Sequence, residues 1–239
     1  LGGAGYETDT TYAHERVRGT NVSQTRDLNA QRVSIIEHPA VRLNLINMKS
    51  RVEAMRALLY YTALQFDLER IAETEKEKEN RQNMIDLLTP MCKGWCTEVG
   101  LEVVQAGLQV MGGVGYTKDF PLEQLYRDAR ISTIYEGTTD IQALDLIGRK
   151  ILRNDGALFQ QLMGNYSELI NEQRDHQEMG QLISIFEGYC ESLYETSMST
   201  QEILKGRGME SIALYATPFL MFISSVTAGW LLLQQVVVA

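Results

Sequence analysis

The sequence predicts an all-α fold: an antiparallel helical bundle followed by an additional helical subdomain. Apolar residues recur at intervals of three and four along most of the chain, which is the period of an amphipathic helix. Good helix formers such as leucine, methionine, alanine and glutamine are common, whereas only 4 prolines occur in 239 residues. No alternating pattern typical of a strand extends far enough to compete with this interpretation.

Composition narrows the class of protein. A hydrophobic content of 44% with 22% charged residues is typical of a globular chain. The net charge of −9 argues against nucleic acid as a partner, because phosphate binding needs a basic patch and none is visible. Cys92, Cys96 and Cys190 suit neither a disulfide framework nor a zinc site. We therefore expect no metal, and buried thiols in a reducing compartment, a bacterial-type cytoplasm.

Two long helices begin the predicted bundle, the first from His38 to about Ala72. Its apolar stripe comprises Val41, Leu45, Met48, Val52, Met55, Leu59, Thr62 and Phe66. The stripe of the second helix comprises Leu88, Met91, Trp95, Val99, Val103, Ala106 and Val110. The polar run "TEKEKEN" (Thr74–Asn80) predicts a solvated linker or a frayed helix end, and Thr89-Pro90 either starts or kinks the second helix. A short connection between long amphipathic helices favours antiparallel packing.

Shorter elements complete the bundle. "GGVGYTKDFP" (Gly112–Pro121) follows a helix rather than a strand, so it predicts a glycine helix end and not a dinucleotide fingerprint. "LEQLYRDARI" (Leu122–Ile131) predicts a short helix. In "DIQALDLIGRKIL", the predicted buried face comprises Ile141, Leu144, Ile147 and Ile151, and the basic end comprises Arg149, Lys150 and Arg153. Asn154-Asp155-Gly156 predicts a boundary between domains 1–153 and 157–239.

The predicted C-terminal subdomain contains two helices over 157–205, followed by Ser211–Ala239, a stretch of 29 residues without a charge. Such a stretch is long enough to span a bilayer, which needs about 20 residues. Pro218, the polar pairs within the stretch and the absence of flanking basic residues favour a buried helix over a membrane anchor. Membrane association remains an alternative at this point.

The stretch "RISTIYEGTTDIQ" (Arg130–Gln142) contains the most informative acid in the chain. Thr139 and Gln142 fit a capping box, so a helix should begin at about Thr138–Thr139 with Glu136 just outside it. A carboxylate there can simply favour the positive end of the helix. Because Glu136 lies between a tyrosine and a glycine, a ligand could also approach it closely and use it as a general base.

The other polar candidates have structural interpretations. Arg127 and Asp128 predict an ion pair or a cap rather than chemistry. His14 and His176 are expected at the surface, since nothing near them resembles a catalytic triad or a metal site. His38 precedes a proline at the start of a helix, which favours a capping role over contact with a neighbour's cofactor.

Four segments carry a resemblance to a known family. "YAHERVRG", "LQVMGGVGY", "YRDARI" and "IYEGTTDIQ" resemble, in the expected order, the landmarks of the C-terminal domain of the acyl-CoA dehydrogenases. "IIEHPAVR", "LLTPMCKGWCTEVG" and "DLIGRKIL" are similar to the long subfamily that includes 3-(methylthio)propanoyl-CoA dehydrogenase.

The resemblance implies a homo-oligomeric FAD enzyme, a homodimer or homotetramer, that oxidises an acyl-CoA thioester to the trans-2-enoyl-CoA. It implies electron-transfer flavoprotein or a similar acceptor as partner. Glu136 matches the base that removes the α-proton, and Tyr135 and Gly137 match residues that flank the thioester. The residues that match FAD contacts are Thr138 and Asp140, together with Arg16, Gln109, Gly112 and Gly113 for the FAD of a neighbouring subunit.

The sequence departs from the family pattern in two places. Val17-Arg18-Gly19 follows Arg16 where the family often has Phe-Gly, and a longer loop, Thr20–Glu37, replaces a short connection. We expect the chain to be a C-terminal fragment that lacks dehydrogenase activity alone, because the family's acyl pocket is formed largely by preceding domains. A non-catalytic or membrane-associated assembly subunit is the alternative, which the intact Glu136 disfavours.

Overall fold

The structure, a computed structural model, describes residues 1–152 and 156–238. Its helices are α1 (Gly2–Glu15), α2 (Pro39–Arg70), α3 (Glu75–Met111), α4 (Leu122–Ser132), α5 (Thr139–Asp145), α6 (Ala157–Gln173), α7 (Gly180–Arg207), α8 (Met209–Ala213) and α9 (Ala216–Val238). A π-helical segment, Leu146–Ile151, continues α5. The all-α prediction is confirmed.

The described residues divide into two compact units. The first comprises Leu1–Glu53 and Thr97–Tyr135, and the second comprises Ala54–Cys96 and the chain from Glu136 onward. Helices α2 and α3 each contribute to both units. The division into 1–153 and 157–239 stays a prediction. Of the residues Asn154-Asp155-Gly156 on which it was based, Asn154 and Asp155 lie outside the described residues, as does Arg153 of the predicted basic end.

The first unit packs α1 and α4 around the parts of α2 and α3 that belong to it. Its buried apolar residues include Ala13, Leu45, Met48, Val52, Val99, Val103, Leu122 and Ala129. The predicted loop after Arg16 is instead a small antiparallel ribbon of β1 (Val17–Thr20) and β2 (Arg32–Ser34). His38 Nε2 donates to the Arg18 carbonyl oxygen at 2.8 Å, so its ring ties this ribbon to the start of α2.

Aromatic side chains form the centre of the second unit. Tyr166 is fully buried, and its hydroxyl lies 2.7 Å from Thr227 Oγ1 of α9. The Tyr166 ring meets the Phe186 ring edge to face at 5.6 Å, and Trp230 meets Tyr61 in the same way at 5.2 Å. These contacts join α6, α7, α9 and part of α2.

The polar run Thr74–Asn80 is not a linker, since α3 already begins at Glu75. Thr74 Oγ1 accepts from the Glu77 backbone N–H at 3.2 Å, and Glu77 Oε2 accepts from the Thr74 backbone N–H at 3.2 Å. This reciprocal pair is a capping box. Thr74 and Glu77 have the spacing of that motif, but the highly charged run was interpreted as a linker or a frayed helix end. Pro90 consequently lies inside α3 rather than at its start.

The apolar stripe of α2 is only partly buried. Leu45, Met48, Val52, Met55 and Thr62 are buried as predicted, but Leu59 and Phe66 are exposed. Leu58 and Gln65 are buried in their place. The second half of α2, from Ala54 onward, belongs to the second unit, and its buried residues contribute to the core of that unit.

The predicted buried face after Glu136 is also partly wrong. Ile147 and Ile151 are fully buried, but Ile141 is 56% exposed, and Ala143 and Leu146 are buried instead. From Leu146 the chain is π-helical, so the rotation of about 100° per residue of an α-helix, on which the predicted face was based, does not extend to Ile147 and Ile151. The basic end carries a surface ion pair between Arg149 and Asp145 at 3.2 Å.

Helix α9 accounts for the uncharged stretch. Among the described residues it is the one helix long and apolar enough to cross a membrane, and 56% of its most apolar window is buried within the structure. Its buried residues include Phe219, Leu220, Ile223, Val226, Trp230 and Leu231. This burial favours a core helix, as the sequence predicted, and α6 and α7 supply the two helices expected before it.

Candidate functional site

Glu136 lies in a tight turn directly before α5. Its φ is 56°, and it is the only non-glycine residue with a positive φ in the described part of the chain. Gly137 follows with a φ of 89°, so two successive residues adopt a backbone that glycine favours. A left-handed conformation costs an ordinary residue about 1–2 kcal/mol, so the fold must hold Glu136 in it.

Gln142 holds the turn from within α5. Its Nε2 donates to the Glu136 carbonyl oxygen at 3.1 Å, and such a bond contributes about 1 kcal/mol, comparable with the cost of the backbone conformation. A Cβ at position 137 would lie 3.0 Å from that Nε2 and 3.4 Å from Ile141 Cγ2. Gly137 is therefore needed twice, for its own backbone and for the path of the Gln142 side chain.

Thr138 caps α5. Its Oγ1 accepts a hydrogen bond from the Ile141 backbone N–H at 3.4 Å. The predicted helix start is therefore right, but the predicted pairing of Thr139 with Gln142 is wrong. Thr138 has the extended backbone that a cap requires, whereas Thr139 is already helical. Gln142 is consequently one position too far along for a capping box, and it reaches the Glu136 carbonyl instead.

The Glu136 carboxylate is exposed, and no residue within 1–152 or 156–238 forms a hydrogen bond or an ion pair with it. Tyr135 before it is 52% exposed, and Thr138 after it is also exposed. Thr139, which follows, is buried and anchors the first turn of α5. The turn thus presents an acid, flanked by an aromatic ring and a bare backbone, on a fixed helix end.

Helix α9 secures α5 from the other end of the chain. Thr217 Oγ1 donates to Asp140 Oδ1 at 2.5 Å across 77 residues of sequence. Asp140 remains exposed. No pattern in the sequence indicated Thr217 as a partner, because a hydrogen bond between distant helices leaves no local signal.

The remaining predicted site residues belong to the first unit and are described separately. Arg16 caps the C-terminus of α1 with an exposed side chain, and Gln109 is exposed near the end of α3. Gly112 has a φ of 66° and ends that helix, as predicted. Gly113 has no positive φ, and a Cβ there would meet nothing within 4 Å. Neither packing nor backbone conformation requires glycine at position 113, and its backbone is exposed.

The side chains predicted to be structural are so. Arg127 forms an ion pair with Glu123 at 3.1 Å, and Asp128 accepts a hydrogen bond from Gln124 Nε2 at 2.7 Å. Both partners lie within α4, and these contacts do not join Arg127 to Asp128. His14 and His176 are exposed. Within the described residues, no group of three or more histidine, cysteine, aspartate or glutamate side chains lies close enough to hold a metal ion.

The half-buried thiols of Cys92 and Cys96 form a pair within α3. Cys92 Sγ lies 3.2 Å from Thr62 Oγ1 of α2. The Cys92 thiol beside it, together with burial, raises the pKa of Cys96 far above its ordinary value. Cys190 is buried, and burial raises its pKa to about 12. All three thiols are thus partly or fully buried, as predicted.

The described residues thus form an all-α domain with an exposed carboxylate on a glycine-containing turn, directly before a capped helix. Residues 10–152 match the family model of the C-terminal domain of acyl-CoA dehydrogenases. The chain belongs to the acyl-CoA dehydrogenase family, as the sequence motifs predicted.

Relatives with established names agree with this placement. The chain is 32% identical to the broad-specificity linear acyl-CoA dehydrogenase FadE5 of Mycobacterium tuberculosis over 98% of its own length. It is 35% identical to 3-methylmercaptopropionyl-CoA dehydrogenase of Ruegeria pomeroyi over 94% of its length, which confirms the predicted likeness to that subfamily. The chain spans only 39% and 38% of these two relatives, respectively.

Solved structures share the fold. ACDH-11 of Caenorhabditis elegans, in complex with C11-CoA, matches 96% of this chain with a TM-score of 0.79 at 20% identity, and this chain covers 36% of it. An acyl-CoA dehydrogenase of Bacillus anthracis, complexed with FAD, matches 95% with a TM-score of 0.71 at 19% identity, and this chain covers 38% of it.

Proposed function

We propose that this chain is the C-terminal part of an FAD-dependent acyl-CoA dehydrogenase, and that Glu136 removes the α-proton of the acyl-CoA thioester. One observation carries the proposal: the exposed Glu136 carboxylate is held on a left-handed turn within the region that matches the family. A backbone conformation that costs free energy is typical of residues kept for function.

The proposed chemistry requires that Glu136 be covered when substrate binds. A carboxylate in water is too weak a base for an α-proton beside a thioester, and an apolar acyl chain over the turn would desolvate it and raise its basicity. Gly137 has no side chain, so the thioester can approach the main chain beside the acid. Bound FAD supplies the acceptor for the hydrogen that leaves the β-carbon.

The described residues fit FAD at two places. Thr138 and Asp140 offer a hydroxyl and a carboxylate at the exposed end of α5. The contacts to the FAD of a neighbouring subunit would come from the first unit, namely Arg16, Gln109, Gly112 and Gly113. The bare backbone of Gly113, which the fold itself does not require, supports this assignment.

The same proposal includes the partners. We expect a homodimer or homotetramer, because four of the matched cofactor contacts would serve a neighbouring subunit. We expect acyl-CoA as substrate, electron-transfer flavoprotein or a similar protein as electron acceptor, and the cytoplasm as location.

The proposed base is tested by Glu136→Gln in a full-length enzyme that contains this chain. The amide keeps the shape of the side chain but cannot accept the α-proton, so flavin reduction should slow by a factor of about 10³ or more, while acyl-CoA binding changes little. Stopped-flow flavin bleaching at saturating substrate measures the rate, and titration of the flavin spectrum with a non-oxidisable acyl-CoA analogue measures the affinity.

Glu202→Gln is the matched control, since Glu202 is another exposed glutamate of the chain, on α7. It removes the same charge, and we expect the wild-type rate. Bleaching by Glu136→Gln at a rate near that of the control would refute the assignment of Glu136.

A further inference from the structure

Glu136 makes few hydrogen bonds with the rest of the described structure. Within the described residues, the bond from Gln142 Nε2 to the Glu136 carbonyl oxygen at 3.1 Å is the only hydrogen bond that Glu136 makes. Its backbone N–H and its carboxylate have no partner there. Gln142 is therefore the one side chain of the described residues that forms a hydrogen bond with the strained residue.

We propose that Gln142 is a positioning residue for the Glu136 base: its amide fixes the orientation of the Glu136 peptide and thereby the direction of the carboxylate. The inference rests on the function proposed above and assigns a second residue to the same site. Gln142 touches neither substrate nor cofactor in this role and acts only through Glu136.

Helix α5 gives Gln142 a rigid base. Ala143 beside it and Leu146 in the next turn are fully buried, and the first turn is held by the Thr138 cap and by the Thr217 bond to Asp140. An amide on such a helix can hold the preceding turn, whereas a side chain on a loose segment could not.

The absent side chain at position 137 supports the same role. The 3.0 Å separation between an added Cβ and Gln142 Nε2 shows that the amide passes through the space that glycine leaves. Loss of the bond would remove one interaction that opposes a return to negative φ, which is the more stable backbone for glutamate. A change in that φ would change the direction of the carboxylate.

The test uses Gln142→Met and Gln142→Glu in the full-length flavoprotein at pH 8. Methionine keeps the length without a donor, and glutamate keeps the shape but, when ionised, can only accept. We expect flavin reduction at saturating acyl-CoA to fall at least tenfold in both variants, with the fall in Gln142→Glu at least as large. The dissociation constant of a non-oxidisable acyl-CoA analogue should stay within about twofold.

A readout independent of turnover follows the turn itself. Amide hydrogen exchange in the resting enzyme should become faster in peptides covering 134–142 and remain unchanged over α6 and α7. Gln124→Met is the matched control, since Gln124 also donates from a helix, to Asp128 at 2.7 Å, and it lies outside the site. It should leave the rate and the exchange near 134–142 unchanged.

Three results separate the hypotheses. Wild-type reduction by Gln142→Glu would overturn the positioning role, because shape alone would then suffice. Equal losses in the Gln142 variants and in Gln124→Met would also overturn it. If Glu136→Gln, measured in parallel, bleaches at the wild-type rate, the proposed base itself is wrong, and the Gln142 proposal fails with it.

Discussion

Asp9 is a buried carboxylic acid in the first unit. It is fully buried in α1, and neither carboxylate oxygen has a hydrogen-bond partner in the described structure. Gly107 of α3 faces it, and a Cβ at that position would overlap the carboxylate, so glycine is required for α1 and α3 to approach. Burial raises the pKa of Asp9 to about 7.

This raised pKa makes the stability of the chain depend on pH. The native carboxyl retains its proton up to about pH 7, while the unfolded carboxyl loses it near pH 4, so the free energy of unfolding falls as the pH rises between these values. Asp9→Asn removes the ionisation. We expect the free energy of unfolding of this variant to differ little from wild type at pH 4 and to be higher by up to about 4 kcal/mol at pH 8.

Urea unfolding at pH 4, 6 and 8 measures this difference. Asp27→Asn, a change at an exposed aspartate near the ribbon, is the control and should not reproduce a gain of that size at pH 8. A difference between Asp9→Asn and wild type that does not grow with pH would show that Asp9 titrates normally.

At the scale of elements, α5 depends on α9 for its position. The Thr217 hydroxyl bonds to Asp140 at 2.5 Å, and buried residues of both helices pack within the same unit. Gly94 of α3 lies against α9 as well, since an added Cβ would come within 2.9 Å of Leu220 Cδ2. Helix α5, which follows the Glu136 turn, thus packs against the C-terminal part of the chain.

Thr217→Val tests this dependence. Valine keeps the β-branched shape but removes the donor, so we expect the free energy of unfolding to fall by about 1 kcal/mol, since the bond is exposed on the Asp140 side. Chemical denaturation measures it. Thr196→Val, which removes only a hydroxyl that bonds to the Ser192 carbonyl within α7, should cost less. Equal losses of unfolding free energy in the two variants would mean that the bond between α5 and α9 does not contribute to stability.

These elements also show what the sequence could predict. The period of apolar residues predicted α2, α3 and the all-α class, and Gly112 predicted the end of α3, because both signals are local. The exposure of Leu59 and Ile141 could not be read from the period, since it depends on which neighbouring helices supply the core.

The local structure of the candidate site was predictable to a similar depth. The start of α5 followed from cap chemistry, and the role of Glu136 stays a prediction from the motif. The bond from Gln142 to the Glu136 carbonyl did not, because it depends on the φ of residue 136, which no propensity predicts for a glutamate. Thr217 was missed because 77 residues separate it from Asp140.

At the scale of the whole molecule, the two groups of predicted cofactor contacts lie on separate units, and both are exposed. Glu136 to Asp140 belong to the second unit, and the group with Arg16 and Gly113 belongs to the first. The chain spans 39% or less of its named relatives, and we propose that surfaces from the remaining part of such proteins complete the binding site.

The isolated 239-residue chain is therefore expected to purify without colour and without dehydrogenase activity. A large cofactor recovers too little binding free energy from a few exposed contacts to offset the loss of its translational and conformational freedom. Visible absorbance of the purified chain and reduction of an artificial electron acceptor by acyl-CoA measure the two expectations, with a full-length enzyme containing the chain as the positive control. Circular dichroism should show the helical spectrum of the folded chain, so that failure to bind is not failure to fold. A yellow preparation with stoichiometric FAD would show instead that these residues suffice to build the cofactor site.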